Sequence, residues 1–210
     1  METINILSYI CHQLPDRTLT IDGQLLPLCA RCTGIYSGFM LGYMYQIVTL
    51  RNTKKFPSKR MILLLLAGIG VTAIDGLGEK VQLWNLSNEI RLFLGLICGS
   101  SISALLFPLF NFYFIRQSSL AAGMAARHYI VFLLLAGLFF ILQNFAISYY
   151  VYKILSIAGL WSIYVIANST FAGMIYRINT KMKNRTNMVM IFLSVLILMM
   201  TEAMVLRNMS

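Results

Sequence analysis

The sequence predicts an all-α integral membrane protein, and three observations support this prediction. Of its 210 residues, 59% are hydrophobic and only 11% are charged, whereas about 25% of a soluble domain is charged. The mean hydropathy is +0.75. Several apolar runs reach or approach the roughly 20 residues that a helix needs to cross a bilayer. We therefore expect one polytopic helical bundle over residues 1–210, with the lipid bilayer as its main partner.

About six transmembrane helices are predicted, and a mixed segment over residues 1–32 precedes them. This segment contains a short apolar piece at 4–10, expected to lie at the membrane interface or re-enter it, and a turn at 21–23. The bundle fills residues 33–206, with a tight hairpin at 150–153. The predicted spans are 33–50, 61–78, 91–114, 129–149, 155–176 and 187–206.

Three glycines in the first span, Gly34, Gly38 and Gly42, recur every four residues. They form a smooth stripe on one helix face, which lets a second helix approach closely. We expect the second helix to belong to the same chain rather than to another copy.

The distribution of charge predicts the orientation of the bundle. Eleven of the 17 Lys and Arg residues lie in loops 51–60, 116–128 and 177–186, which contain no Asp or Glu. Basic loops favour the cytoplasmic side, so six spans would leave both termini and the 1–32 segment extracytoplasmic. The net charge of +10 is then explained by topology. Without a basic groove or interleaved aromatic residues, no nucleic-acid partner is expected.

The N-terminal segment holds the residues best suited to chemistry: Cys11, His12, Cys29 and Cys32. Three thiolates and an imidazole suit tetrahedral zinc, and two residues between Cys29 and Cys32 suit two ligands from one turn. We predict a zinc-type site with these four ligands. Asp75 is an alternative fourth ligand, in which case His12 would act as an acid or base beside the metal.

Two other interpretations of the cysteines stay open. Thiols outside the cytoplasm tend to be oxidised, which favours a structural disulfide from Cys11 to Cys29 or Cys32. The protein would then be a transporter or lipid-handling protein whose cavity matters more than its cysteines. Alternatively, Cys29 and Cys32 form the redox pair of a membrane thiol-disulfide oxidoreductase. In that case Arg31 between them would lower a thiol pKa.

Charged residues near the outer helix ends suggest a substrate class. Asp75 and Arg91 close and open consecutive spans, so we expect them to pair. Guanidinium groups bind phosphates and carboxylates well, and Arg17, Arg31 and Arg91 could surround such a group. If the site is catalytic, His12 or Asp75 would handle protons, the metal would polarise an oxygen, and Arg31 and Arg91 would hold a lipid-linked or other membrane-embedded anionic substrate. Otherwise the arginines pair locally, Arg17 with Asp16 or Asp22.

Two sequence blocks resemble a known family. The first is Cys-His-Gln at 11–13 with Pro15 and Arg17, followed by Pro-Leu-Cys-Ala-Arg-Cys-Thr-Gly-Ile-Tyr at 27–36 and Gly38. The second is Asp-Gly at 75–76, followed by Asn88, Arg91 and Gly95. Together they resemble the family named domain of unknown function 2085, small multi-pass membrane proteins of prokaryotes. The resemblance covers about the first 100 residues and implies the membrane class without an activity. Glu79 stands where the family pattern has Gln.

Overall fold

The computed structural model describes residues 11, 14–50, 56–114, 126–142 and 148–179. These residues form five long helices, preceded by a short 3-10 helix and a two-stranded hairpin. The predicted sixth span at 187–206 and the apolar piece at 4–10 lie outside the described residues. The long helices are α1 (Ala30–Leu50), α2 (Lys59–Lys80), α3 (Asn88–Phe114), α4 (Ala126–Ile141) and α5 (Ser148–Asn179).

Three of the described helices are long and apolar enough to cross a membrane: Lys59–Glu79 in α2, Asn88–Phe114 in α3 and Tyr149–Met174 in α5. The apolar part of α4, Arg127–Ile141, is shorter. α1 has 21 residues but is not in this apolar group, because it carries glycines and buried polar side chains where it contacts its neighbours. Membrane-length helices are thus confirmed for three segments, and the count of six spans stays a prediction.

The centre of the bundle is the contact between α1 and α3. A Cβ atom added at Gly34 or Gly38 would overlap the backbone of Leu92 or Leu96. Gly95 and Gly99 of α3 meet the backbone of α1 in the same way. Since both backbones depend on glycine for this approach, the stripe predicted from the sequence packs within one chain.

Neighbouring contacts define the direction of each helix. Along α1, Gly34 meets Leu92 and Gly42 meets Ser103, so α1 and α3 run parallel. Gly159 of α5 packs on Tyr36, and the Ser162 hydroxyl lies 3.6 Å from the Met40 sulfur, which makes α5 parallel to both. α2 runs the opposite way, because Gly68 lies against Ser101 and Thr72 donates to the carbonyl of Leu94. The first turns of α1, α3 and α5 and the last turn of α2 therefore share one end, called the site end below.

A hairpin covers the site end. Its strands, β1 (Thr20–Ile21) and β2 (Gln24–Leu25), are antiparallel. The predicted turn lies between them, with Asp22 and Gly23 at φ 52° and 72°. Two left-handed residues are typical of the tight hairpin turn that matches strand twist. Ile21 and Leu26 are buried against α3, α4 and α5, so the hairpin is fixed to the bundle by apolar contact.

The predicted hairpin at 150–153 is wrong, because these residues lie inside α5. Tyr152 is fully buried, packs against Phe139 of α4 and donates its hydroxyl to the Phe139 carbonyl. The Lys153 ammonium lies 5.5 Å from the Tyr149 ring centroid. These aromatic contacts favour helix over turn. α4 also ends at Ile141 rather than 149, and the loop predicted at 79–90 is shorter, because α2 extends to Lys80 and α3 begins at Asn88.

We predict that Gly38→Ala destabilises the bundle by about 1–3 kcal/mol, the usual cost of overpacking a tight interior, since the new methyl group would overlap the Leu96 backbone. Gly70→Ala in α2 is the matched control, because a Cβ there meets nothing within 4 Å. Its gain in helix propensity should leave stability equal or slightly higher. Unfolding of both variants in detergent, followed by circular dichroism, checks this. Equal stability of the two would contradict the central contact.

Candidate functional site

Three cysteine sulfurs meet at the site end. The Sγ atoms of Cys11, Cys29 and Cys32 all lie within 4.8 Å of one another. Cys29 immediately precedes α1 and Cys32 lies in its first turn, whereas Cys11 comes from the segment before the hairpin. The backbone N–H of Cys29 donates to the Cys11 sulfur at 3.2 Å. The structure therefore brings together the three predicted thiol ligands, and His12 lies outside the described residues.

The thiol cluster, meaning Cys11, Cys29 and Cys32, lies in apolar surroundings. Cys11 is buried beside Leu28 and Leu160, and Tyr36 and Tyr164 pack against the same group. All four cysteines of the chain are thiols rather than disulfides. The hydrogen bond with Cys11, together with burial, raises the pKa of the Cys29 thiol. This raised pKa disfavours the Cys29 thiolate unless a cation stabilises it.

Arg31 lies between Cys29 and Cys32 in the sequence, but its side chain faces α2. Its Nε and Nη2 atoms lie 3.0 and 2.5 Å from Oδ2 of Asp75. Nη2 also donates to Oε2 of Glu79 at 2.8 Å. The guanidinium is therefore held by two carboxylates on one face of α2 and is not available to the thiols.

Glu79 is the centre of a charge network. Its Oε1 atom lies 2.7 Å from Nη2 of Arg91 and 3.1 Å from Nε of Arg17, while Oε2 binds Arg31. Three arginines from three separate segments thus converge on one carboxylate. The charge network below means Arg17, Arg31, Arg91, Asp75 and Glu79.

The expected ion pair between Asp75 and Arg91 is wrong, because each of the two residues pairs with a different partner. Asp75 binds Arg31, and Arg91 binds Glu79. Glu79 lies one helical turn beyond Asp75, nearer the helix end at which α3 begins, so it meets Arg91 first. Arg17 lies 3.9 Å from Asp16 but closer to Glu79, so its local pairing is the weaker one.

The charge network is buried at Asp75 and Arg91, partly exposed at Arg17 and Arg31, and tied to the surrounding loops. Asp75 and Arg91 are each 3% exposed. Arg91 also donates to Oδ1 of Asn85 at 2.6 Å and of Asn88 at 3.3 Å, and the Asn88 amide donates to the Asp16 carbonyl. Among the described residues, four buried side-chain atoms have no hydrogen-bond partner. Three belong to the network, namely Oδ1 of Asp75, Nε of Arg91 and Oε1 of Glu79, whose contacts with Arg17 and Arg91 are ion pairs by distance; the fourth is Oγ of Ser37. Three guanidinium groups face the two carboxylates of the network, and the exposed Asp16 carboxylate, 3.9 Å from Arg17, offsets part of the third positive charge.

The predicted site residues thus form two adjacent groups that share the first turn of α1. The thiols face α5, and Arg31 faces α2. Within the described parts of the chain, Asp75 and Cys98 do not belong to the thiol cluster. The role of Glu79 was missed by sequence reasoning. Its position four residues after Asp75, on the same helix face, was the available signal.

Comparison with known proteins gives the family. The family described as "Predicted membrane protein (DUF2085)" matches residues 11–105. The chain belongs to this family. The matched region contains the thiol cluster and the charge network and ends within α3. No solved structure matches the chain.

Two archaeal relatives are each similar to about half of the chain, and both are named as uncharacterized proteins. One, from Methanocaldococcus jannaschii, is 33% identical over 106 residues, which is 50% of this chain and 66% of that protein, just under two thirds. The other, from Methanothermobacter thermautotrophicus, is 34% identical over 97 residues, which is 46% of this chain and 84% of that protein.

We predict that Glu79→Gln destabilises the protein by roughly 3 kcal/mol, the lower end for breaking a buried ion pair. Its amide would leave Arg91 without a counter-charge and Arg31 with Asp75 alone, while still accepting hydrogen bonds. Glu89→Gln, at an exposed carboxylate in the first turn of α3, is the control and should change little. Thermal unfolding of both variants in one detergent measures the difference. A Glu79→Gln protein as stable as the wild type would show that Glu79 is not the centre of the network.

Proposed function

We propose that the thiol cluster binds a zinc-type ion and that this metal centre is the functional site of the protein. The observation that supports it is the convergence of three sulfurs, with no disulfide between them, from two separate segments within 4.8 Å. In a tetrahedral site with Zn–S distances of about 2.3 Å, the sulfurs lie about 3.8 Å apart. A contraction of up to about 1 Å would therefore bring the three thiols to ligand distances.

The fourth ligand in this proposal is His12, which follows Cys11 directly. Asp75 fits the role less well, because its carboxylate already binds Arg31 in the charge network. Three thiolates and one imidazole would complete a four-coordinate site of the kind zinc prefers. The N–H of Cys29, which donates to the Cys11 sulfur, is the type of contact that orients a ligand around a metal.

Metal binding is favoured over redox catalysis by the surroundings of the thiols. A redox-active Cys-x-x-Cys pair needs a lowered thiol pKa. Here the pKa of Cys29 is raised, and the guanidinium of Arg31 is held by Asp75 and Glu79. A divalent cation would supply the missing positive charge, because metal binding replaces the thiol protons.

The orientation in this proposal places the metal centre at the extracytoplasmic surface. The described helices alternate in direction, so the ends of α1 and α3 next to the basic loops lie opposite the site end. Basic loops favour the cytoplasm. Six spans, with both termini outside, would follow if residues 187–206 form the last helix.

A second candidate function is chemistry on a lipid-linked or other anionic substrate beside the metal. The three guanidinium groups that converge on the two carboxylates of the network favour it. Arg31 and Arg91 would hold the anionic group, and His12 or Asp75 would handle protons, with the unpartnered Oδ1 of Asp75 as the atom that accepts one. A bound metal would supply a polarised oxygen.

We predict about one zinc ion per purified chain, measured by elemental mass spectrometry, with free thiols counted after chelation on the same sample. Cys29→Ser should lose the metal. Cys98→Ser, which removes a buried thiol of α3 outside the thiol cluster, should retain it. No metal and only one or two free thiols would overturn the metal centre. A disulfide would then be the working structure, and its reduction potential would decide between an oxidoreductase and a structural link.

We predict that His12→Ala weakens zinc binding by more than about 100-fold, since even residues that only orient a ligand contribute about 10- to 100-fold. Asp75→Asn, which leaves the thiol cluster intact, should change the affinity far less. Competition with a chromophoric chelator measures both. If Asp75→Asn lost zinc and His12→Ala did not, Asp75 would be the fourth ligand and His12 would be free to move protons.

A further inference from the structure

The turn between α2 and α3 presents an apolar surface at the site end. Of the residues that follow α2, Val81 and Leu83 are 64% and 69% exposed, and Trp84 is 42% exposed. These three residues, with Gln82 between them, are called the apolar turn. Exposed apolar residues grouped in this way mark an interaction surface.

The shape of the apolar turn is fixed by the end of α2. The N–H of Leu83 donates to the Gly78 carbonyl at 2.9 Å, and the N–H of Gln82 to the Glu79 carbonyl at 3.0 Å. Gln82 has φ 59°. This pair of hydrogen bonds around a left-handed residue is the Schellman cap of a helix. The three apolar side chains are therefore held outward by local hydrogen bonding.

Trp84 packs against the same end of α2. A Cβ atom at Gly78 would overlap the indole ring of Trp84, so the ring lies directly on the backbone of α2. One face of the indole is covered by this contact, and the rest of the side chain stays exposed. The apolar turn is thus a rigid extension of α2.

The apolar turn also continues the exposed face of a membrane-length helix. Leu66, Ile74 and Leu77 of α2 are all exposed, and Val81 follows Leu77 at the next helical repeat. The apolar surface therefore runs without interruption from the span Lys59–Glu79 onto the turn. Beside it, Asn85 and Glu79 bind Arg91, so the polar network begins where the apolar surface ends.

We propose that the apolar turn inserts into the boundary between headgroups and acyl chains at the site end, and that this insertion holds the charge network at headgroup depth. Tryptophan is enriched at this boundary because its ring is apolar and its N–H is polar. The N–H groups of residues 81–83 are already bonded to α2, which reduces the cost of entering lipid. The network then opens towards the headgroup layer rather than towards bulk water. This inference goes beyond the metal centre and does not depend on it.

Tryptophan fluorescence tests the depth, because the chain has two tryptophans. Trp161→Phe leaves Trp84 as the single reporter. Trp84→Phe leaves Trp161, which is 52% exposed and lies near the middle of the span Tyr149–Met174. Both proteins are reconstituted into vesicles that contain lipids brominated either near the headgroup or deep in the acyl chain, and iodide is added as a water-soluble quencher.

We expect the shallow bromines to quench Trp84 more than the deep ones, the reverse order for Trp161, and little loss of Trp84 emission with iodide. Strong quenching of Trp84 by iodide, without an effect of brominated lipid, would overturn the proposal and place the turn in water. A third result would also overturn the proposal: Trp84 is protected from both quenchers, and this protection disappears when the protein is diluted in lipid. That result would assign the surface to contact with a second copy of the chain. None of these results would bear on zinc content.

Discussion

The close approach of α1 to α3 is the constraint on which the remaining structure depends. Glycines on both helices remove the side chains that would separate them, so the two backbones touch along several turns. The axial position of α1 against α3 is then fixed by the fit of one backbone into the other. Arg31 and Arg91, at the first turns of these two helices, consequently reach the same carboxylate of α2. A shift by one turn would separate them.

Burial makes the charge network costly unless its charged groups are paired. A charge removed from water is costly unless an opposite charge and hydrogen bonds compensate it, and Arg91, at 3% exposure, contacts Glu79, Asn85 and Asn88. These partners come from the end of α2 and from the residues that open α3. The loop geometry and the pairing of Arg91 therefore depend on each other. The network also ties the N-terminal segment to the bundle through Arg17, so the position of Cys11 is indirectly constrained by the same charges.

The sequence predicted those features that depend on local spacing and composition. Spacing predicted three features: the glycine stripe, the turn at Asp22–Gly23, and the convergence of Cys11, Cys29 and Cys32. Composition predicted the membrane class. The sequence did not predict the partner of Arg91. Asp75 and Glu79 share a face of α2, and only the axial offset between α2 and α3 determines which of them Arg91 contacts. The predicted hairpin at 150–153 is wrong because of another tertiary contact, the packing of Tyr152 against Phe139, which local sequence does not show. The low hydropathy of α1 likewise reflects its central position between other helices.

The convergence of three arginines on Glu79 limits what substrate the second candidate function can use. A phosphate or carboxylate could bind Arg31 and Arg91 only by displacing Glu79 or by joining it at Nε of Arg91, which has no hydrogen-bond partner among the described residues. Displacement would leave a buried carboxylate without a partner, which is costly unless it gains a proton. Joining requires no such loss. In the second candidate function, a group that offers a single oxygen to Nε of Arg91 would therefore fit better than one that must displace Glu79, and Glu79, by occupying the arginines, would set this preference.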